Sequence, residues 1–338
     1  MAVYVVRAGS YGEREDFAIE NEMVVVGWDE LPDLTPITSW DELRDFIAEA
    51  YPNFGVRSIG NWTGQLWRFR DLMKSGDLVV LPFKSISSVA VGEIAGDYKY
   101  DGQQPEGTRH FRKVKWLKTD LPRTDLDDDI LASLGAFMTI YEIHADNAES
   151  RIRRILAGER GTQDDESLEA ATQAEFIDLE IQAKDQIRKF IDRKYRGHNL
   201  ARLVSAVLES KGYTIHQSSP GPDGGIDIIA GMGPMGFDSP RVVVQVKSGG
   251  VISNIGMIRE LSGIIKEFGA DYALFVSWGG YERSVLKEIS TRFFKVRLWD
   301  SENLVSEIES NYESLPEDVQ KRLPLKRIWT LVPSDIDS

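Results

Sequence analysis

From residue 197 onwards, short apolar runs of strand length alternate with amphipathic runs of helical length, and this alternation constrains the fold more than any other feature. ARLVSAVLESKGY reads as a helix closed by Gly212, and YTIHQS follows as a strand. After the turn-rich SPGPDGG come the strand IDIIA, a Gly/Pro loop and the strand RVVVQVKS. The helix IGMIRELSGIIKEFG, the strand YALFVSW, the helix RSVLKEISTRFF, the strand VRLW and the helix SENLVSEIESNYESL complete the series. Such a succession predicts an α/β fold, a mixed sheet flanked by helices on both faces.

Two neighbouring strands in this series carry the chemistry. Gly224 and Gly225 permit a tight turn into IDIIA, and Asp227 stands at its start. On the next strand Gln245 and Lys247 are two apart, so a period of two puts them on one face while Val244 and Val246 point to the other. A hairpin of the two strands would set Asp227 beside Gln245 and Lys247. That trio suits phosphodiester hydrolysis. Mg²⁺ takes hard oxygen ligands, which Asp227, the Gln245 side-chain oxygen and the Val246 carbonyl would supply. Mn²⁺ is the alternative ion. A bound divalent metal makes water a stronger nucleophile and stabilises charge on phosphate. Lys247 would orient or deprotonate the attacking water, or stabilise the pentavalent phosphate. Taken singly, an Asp in a Gly-rich turn is ordinarily a turn residue and a Lys at a strand end is ordinarily solvated. Their combination in one hairpin is what carries weight.

The run from Gly197 to Ile308 resembles the Mrr-like catalytic domain of the PD-(D/E)XK nuclease superfamily. The resemblance rests on an opening helix ending in Lys211–Gly212–Tyr213, on DGGID at Asp223–Asp227 and on QVK at Gln245–Lys247. It extends through RELSG (Arg259–Gly263), LFVSWGGY (Leu274–Tyr281) and RLWDSENLV (Arg297–Val305). It covers about a third of the chain. QxK alone is a weak signal; preceded by DGGID it is fairly specific. The resemblance implies Mg²⁺-dependent endonuclease cleavage of DNA, usually in restriction or other defence against foreign DNA. One position departs from the pattern. Family members often carry a Glu in the opening helix, and that position falls at Ala201 here, with Glu209 two turns further on. The departure argues against a second metal and leaves a weakened or inactive enzyme as an alternative. His198 would be a substitute polar contact, although a surface His at a helix start is the plainer reading. Ser248 and Ser277 fall near the site by topology and are ordinarily structural.

Residues 1–144 read as mainly β. VYVVRAG, MVVVGWD, DLVVLPF and SVAVGEIAGDYKY are bounded by Gly, Asp or Pro. Two helices interrupt them: TSWDELRDFIAEAY, capped by Ser39, and GQLWRFRDLMKSG, ending at Gly76. GDLVVLP and VGEIAGDYKY resemble PUA-like folds of the EVE type, which implies a small barrel that binds nucleic acid or a flipped modified base. Base recognition needs stacking surfaces and a few hydrogen-bonding groups. The candidates are Trp28, Trp62 and Trp67 with Tyr98 and Tyr100, and Asn61 and Asp77 as polar partners; Arg7, Arg57 and Arg68 would meet phosphates. Aromatics in small β domains mostly form core. GNWTGQLW is the best functional candidate, read as an exposed loop before a helix. RHFRKVKWLK, within Arg109–Lys118, reads as a strand with one basic face.

Residues 145–196 read as a helical linker, two helices separated by GERGTQDDES, with apolar Ile152, Ile155, Leu156, Leu168, Phe176, Leu179, Ile187 and Phe190 at helical spacing. The expected division is therefore 1–144, a PUA/EVE-like recognition domain; 145–196, the linker; and 197–338, the nuclease domain. The formal net charge of −14 opposes nonspecific binding to phosphates. Basic residues nevertheless concentrate in places, and Arg188, Lys189, Arg193, Lys194, Arg196 and His198 form one candidate backbone-contacting stretch. With no cysteine and only 4 scattered histidines, thiolate, disulfide and zinc chemistry are not expected. The start MAVYVVRAGS is no secretory signal, and no apolar stretch approaches membrane-spanning length. A cytoplasmic protein without a membrane partner is expected.

Two further readings stand beside a DNA endonuclease: a non-catalytic DNA-binding or sensor protein that keeps the nuclease fold, and a nuclease gated by a small ligand on the N-terminal domain. Nothing in the sequence tells DNA from RNA. Cutting both strands would need two active sites, which a homodimer provides.

Overall fold

The computed structural model describes residues 1–84, 86–159, 178–218 and 225–329, and divides into two compact units, one from Met1 to Gln182 and one from Ala183 to Trp329. No described helix is long and apolar enough to cross a membrane.

The first unit contains β1 (Val3–Val6), α1 (Glu15–Glu20), β2 (Met23–Val26), α2 (Trp40–Ala50), α3 (Val56–Trp67), β3 (Leu78–Pro82), β4 (Ser88–Tyr100), β5 (His110–Pro122), α4 (Asp128–Ser133), β6 (Ile140–Glu142) and α5 (Ala148–Leu156). Its six strands form one sheet in the order β2-β5-β4-β3-β1-β6. Alternate residues of each central strand enter different cores. Tyr4, Val6, Val79 and Leu81 pack on one face with Leu43 and Ile47 of α2 and Ile59 and Leu66 of α3. Val3, Val5, Leu78 and Val80 pack on the other with Ile130 and Leu131 of α4 and Ile152 and Ile155 of α5. A sheet covered on both faces needs continuous apolar runs, which VYVV and LVVLP supply. The sequence led us to expect a barrel. Among the described residues the sheet is open, because no ladder joins the edge strands β2 and β6 and helices cover the faces a barrel would roll up.

Ser39 caps α2 as expected, its Oγ accepting the Glu42 N–H at 3.2 Å. The next helix differs from expectation. It begins at Val56, so GNWTGQLW lies inside α3 rather than in an exposed loop, and a π-helical turn at Arg68–Leu72 ends it four residues before Gly76. The buried stripe Ile59, Thr63 and Leu66 outweighs the helix cost of Gly60 and Gly64.

On either side of the former linker, α5 packs into the first unit, whereas α6 (Leu179–Lys194) passes into the second, where Ile191 joins the core. Leu168 and Phe176 lie outside the described residues. The second unit continues with α7 (His198–Ser210), β7 (Thr214–Gln217), β8 (Ile228–Met232), β9 (Asp238–Lys247), α8 (Ile255–Glu267), β10 (Tyr272–Ser277), α9 (Arg283–Glu288), β11 (Val296–Trp299), α10 (Ser301–Asn311) and α11 (Glu317–Arg322). The sheet order is β11-β10-β9-β8-β7. β9, β10 and β11 run parallel, while β8 is antiparallel to both β7 and β9. This is the mixed α/β sheet the alternation predicts. Val244, Leu274 and Val276 meet α7 and α10 through Leu203, Val204, Val207, Leu304 and Ile308. Val243, Ala273 and Phe275 meet α8 and α9 through Ile258, Leu261 and Val285.

Candidate active site

The β8–β9 hairpin sets the geometry. Ile228 pairs with Val244, so the register carries Asp227 to a place opposite Gln245. The Asp227 N–H donates to the Val244 carbonyl at 2.9 Å, which extends the ladder one residue past β8. In return the Val246 N–H donates to Asp227 Oδ2 at 2.7 Å. Among the described residues no hydrogen bond engages Oδ1. Asp227, Gln245, Val246 and Lys247 are all half-buried. Asp223 and Gly224 of the DGGID motif lie outside the described residues.

Gly225 has φ +78, a left-handed conformation that favours glycine. A Cβ there would lie 2.9 Å from Gln245 Nε2, so the missing side chain makes room for the Gln245 amide.

The second wall is the start of α7. Gly197, with φ +61, turns the chain into the helix, and its N–H donates to Ser248 Oγ at 3.0 Å. That bond ties the helix start to the residue after Lys247 and fixes where His198 sits. Burial raises the Asp227 carboxyl above its ordinary value; the Val246 N–H, Lys247 and His198 each oppose that rise. Lys247 and His198 therefore both lie within electrostatic reach of Asp227. Ala201, at the position where the family often carries Glu, is buried at 2% exposure. Ser277 is fully buried and hydrogen-bonded to Ser253 and the Gly280 carbonyl, which is a structural role.

The chemistry of Asp227 Oδ1, the Gln245 amide oxygen and the Val246 carbonyl, which the hairpin register brings to one end of the strands, is that of the hard-oxygen donors Mg²⁺ takes. The set contains one carboxylate only. No described cluster of three His, Cys, Asp or Glu residues is placed to hold a metal.

The other candidate positions divide by burial. Arg188 is 4% exposed and paired with Asp185 and Glu302, so its charge is spent inside the second unit and does not face a phosphate. Lys189 is half-buried; Arg193, Lys194, Arg196 and His198 are exposed, Lys194 lying over the Phe190 ring and Arg196 pairing with Asp192 at 3.2 Å. In the first unit Trp28 is buried in the core rather than open to a base. Trp62 packs against Phe54 and Tyr51, with centroids at 4.7 and 5.2 Å, and Trp67 packs against Trp40 at 6.1 Å. Asp77 accepts the N–H groups of Ala2 and Lys74, and Arg7 donates to the Leu134 and Ala136 carbonyls; both serve the fold. Within β5, Lys113 and Lys115 are exposed. Arg112 turns inward at 1% exposure and donates to the Phe69 carbonyl. Arg57 and Asn61 remain, exposed on one stripe of α3 that Arg68 continues in the π-helical turn.

Comparison with known proteins agrees with the division into units. Residues 4–144 match a family described as a domain of unknown function, DUF8426. Residues 193–308 match the Mrr_cat family, described as restriction endonuclease. No curated protein matches. Three solved structures show distant likeness. One is AF1548, a protein of unknown function, with 18% identity over 35% of this chain and 66% of that chain, and a TM-score of 0.26. Another is the DNA modification-dependent restriction endonuclease AspBHI, with 16% identity over 81% and 74%, and a TM-score of 0.33. The third is the MspJI restriction endonuclease in complex with a 27-mer oligonucleotide, with 15% identity over 95% and 79%, and a TM-score of 0.32. This chain thus spans slightly less than two thirds of AF1548 and about three quarters of the other two. At such identities and superpositions these likenesses do not bear on function. The family match is closer to the site: residues 193–308, which contain α7 and the whole Asp227–Gln245–Lys247 hairpin, form a restriction endonuclease-like domain.

Proposed function

We propose that the chain is a Mg²⁺-dependent DNA endonuclease, with Mn²⁺ as the alternative ion, acting in restriction of foreign DNA. The observation that carries this reading is the hairpin itself, within a restriction endonuclease match. Asp227 is held by the Val246 N–H, has no partner for Oδ1 among the described residues, and has Lys247 within electrostatic reach. Asp227, the Gln245 amide oxygen and the Val246 carbonyl would hold the metal, which supplies Lewis-acid stabilisation of charge on the phosphate. Lys247, as a cation beside Asp227, would orient the attacking water or stabilise charge on the phosphate. His198, at the start of α7 and within electrostatic reach of Asp227, would be a further polar contact for a phosphate.

The first unit is the proposed recognition module, reading a feature of the nucleic acid such as a modified base. The stripe of Arg57 and Asn61 on α3, with Arg68 just past its end, supports it: two cations and an amide at helical spacing suit contacts to a phosphate backbone. Two active sites, and hence two cuts, would follow from a homodimer. A second reading, a DNA-binding protein without cleavage, is favoured by one observation, the buried Ala201 at the family's Glu position.

The test incubates the full chain with Mg²⁺ or Mn²⁺ and matched DNA, unmodified and cytosine-modified, beside RNA of the same sequence. Asp227→Ala and Lys247→Ala serve as controls. Metal-dependent DNA cleavage lost in both variants is the expected result, and a preference for modified DNA would support the recognition role. Binding without cleavage under every condition would replace the nuclease reading by the second one.

A further inference from the structure

A cavity of about 770 Å³ opens beside α7, outside the catalytic hairpin. Asn199, Arg202, Ala206 and Glu209 recur at helical spacing and form its α7 wall. Lys194 and Tyr195, at the end of α6, and Lys321 and Arg322 of α11 face them. Four cationic side chains thus line the cavity against two carboxylates, Glu209 and Asp318, in a chain whose net charge is −14. Among the described residues no carboxylate lies within ion-pair distance of Lys194, Arg202 or Arg322.

Two neutral groups in the wall lack partners. Tyr195 is 8% exposed and Ser205 is 6% exposed, and neither hydroxyl has a hydrogen-bond partner. Buried hydroxyls are ordinarily satisfied, and a helical Ser ordinarily bonds back to the carbonyl one turn earlier. Here both remain unsatisfied and both residues line the same cavity. Burial raises the Tyr195 phenol above its ordinary value, so it stays a donor at neutral pH. The volume exceeds that of a bare anion and falls within the range of small-molecule sites, roughly 300–1,000 Å³.

We propose that this cavity binds a phosphorylated nucleotide, with Arg202, Lys194 and Arg322 holding the phosphate and Tyr195 and Ser205 donating from the wall. The nucleotide comes from one of two sources, a free mononucleotide or a unit of a nucleic-acid strand. The strand source rests on the nuclease reading above. Topology favours it: Asn199 follows His198, and Gln217, also lining the cavity, pairs with Ile228 next to Asp227.

The experiment uses the full chain without divalent metal, so that the hairpin does not contribute. Binding of deoxyadenosine 5′-monophosphate, of a short 5′-phosphorylated single strand and of inorganic phosphate is measured by calorimetry. The wild type, Arg202→Gln, Tyr195→Phe and Asp227→Ala are compared, with melting curves confirming that each folds. The wild type binds the mononucleotide, the strand or both. Arg202→Gln weakens that binding about tenfold, as loss of one charged hydrogen bond requires. Tyr195→Phe weakens it less, and Asp227→Ala leaves it unchanged, so failure of the nuclease reading does not disturb this result. Saturable mononucleotide binding assigns the free source. Binding of the strand alone, with a salt slope about one unit smaller in Arg202→Gln, assigns the strand. Binding of inorganic phosphate only, no binding at millimolar concentration, or unchanged affinity in both Arg202→Gln and Tyr195→Phe overturns the proposal.

Discussion

Replacing Asp227 by Asn should produce two melting temperatures that cross when Mg²⁺ is added. The half-buried carboxylate lies under a raised pKa caused first by desolvation, so in the metal-free protein its ionised form opposes folding. Asn keeps the shape, and its side-chain oxygen can still accept the Val246 N–H that Oδ2 accepts at 2.7 Å. The variant loses a charge and no hydrogen bond. The sign follows from proton linkage. Because the folded pKa is raised, the native state binds more protons than the unfolded state between the ordinary carboxylate value of 3.8 and the raised one. Stability therefore falls as pH rises through that window, and above it the penalty is complete. Metal-free Asp227→Asn should melt with the wild type in acid and above it at neutral pH.

Mg²⁺ reverses the order. At about 100 times its dissociation constant a ligand specific for the native state stabilises by about 2.7 kcal/mol, roughly 5–11 °C in melting temperature for a domain of this size. The wild type should gain that rise and Asp227→Asn should not, and the wild-type gain should fade as pH falls through the raised Asp227 value. Differential scanning calorimetry across a pH series, with and without Mg²⁺, reads all of this without any substrate. An equal Mg²⁺-dependent rise in both proteins, or none in the wild type, would refute the assignment of Asp227 as the metal's carboxylate.

Further outcomes follow from other contacts. Lys247→Met removes a cation that opposes the rise of the Asp227 pKa, so the acid limb of Mg²⁺ binding should move to higher pH; an unmoved limb separates Lys247 from the site. Gly225→Ala puts a Cβ against the Gln245 amide at φ +78, and should weaken Mg²⁺ affinity measured by calorimetry while the protein stays folded. Unchanged affinity would remove Gln245 from the donor set. Arg188→Met breaks a buried pairing with Asp185 and Glu302 and should cost about 3–5 kcal/mol of stability in denaturant titration, with DNA affinity of the folded protein intact. A large affinity loss at unchanged stability would return Arg188 to the phosphate-contacting set. Mg²⁺ titration should saturate as a single site, and a second site of comparable affinity would contradict the one-carboxylate donor set.

The parts of the structure legible in the sequence are those where a single period decides. A period of two placed Gln245 and Lys247 together, and the antiparallel register of β8 and β9 then fixed Asp227 opposite Gln245. Alternation of strand and helix gave the second unit its architecture. The misread parts depend on what lies across the core. GNWTGQLW contains two glycines and reads as a loop, yet Ile59, Thr63 and Leu66 form a buried face that holds it in α3. RHFRKVKWLK reads as a basic strand face, but Arg112 turns inward to the Phe69 carbonyl, a partner 43 residues away that no local pattern announces. Arg188 sits in a basic run and is neutralised by Asp185, one turn away, and by Glu302, far along the chain. One signal was available in advance: an Asp three residues before an Arg on a helix is a pairing geometry, and DQIR at Asp185–Arg188 has it.

The substitution at Ala201 and the presence of His198 belong to one electrostatic argument. A Glu on the opening helix would bring a second negative charge to Asp227 and with it a second place for a divalent cation. Here that position is a buried methyl group, and the residue one turn earlier on the same helix is a His within electrostatic reach of Asp227. Lys247 also lies within electrostatic reach, so among the described residues the groups acting on the Asp227 carboxylate are neutral or cationic. On the proposed reading a second divalent ion would find no second described carboxylate, so its binding would be unfavourable, whereas a phosphate would meet one metal with Lys247 and His198 near it. On the proposed reading the site would therefore suit a single metal, with Lys247 and His198 near the phosphate where a second ion would otherwise stand.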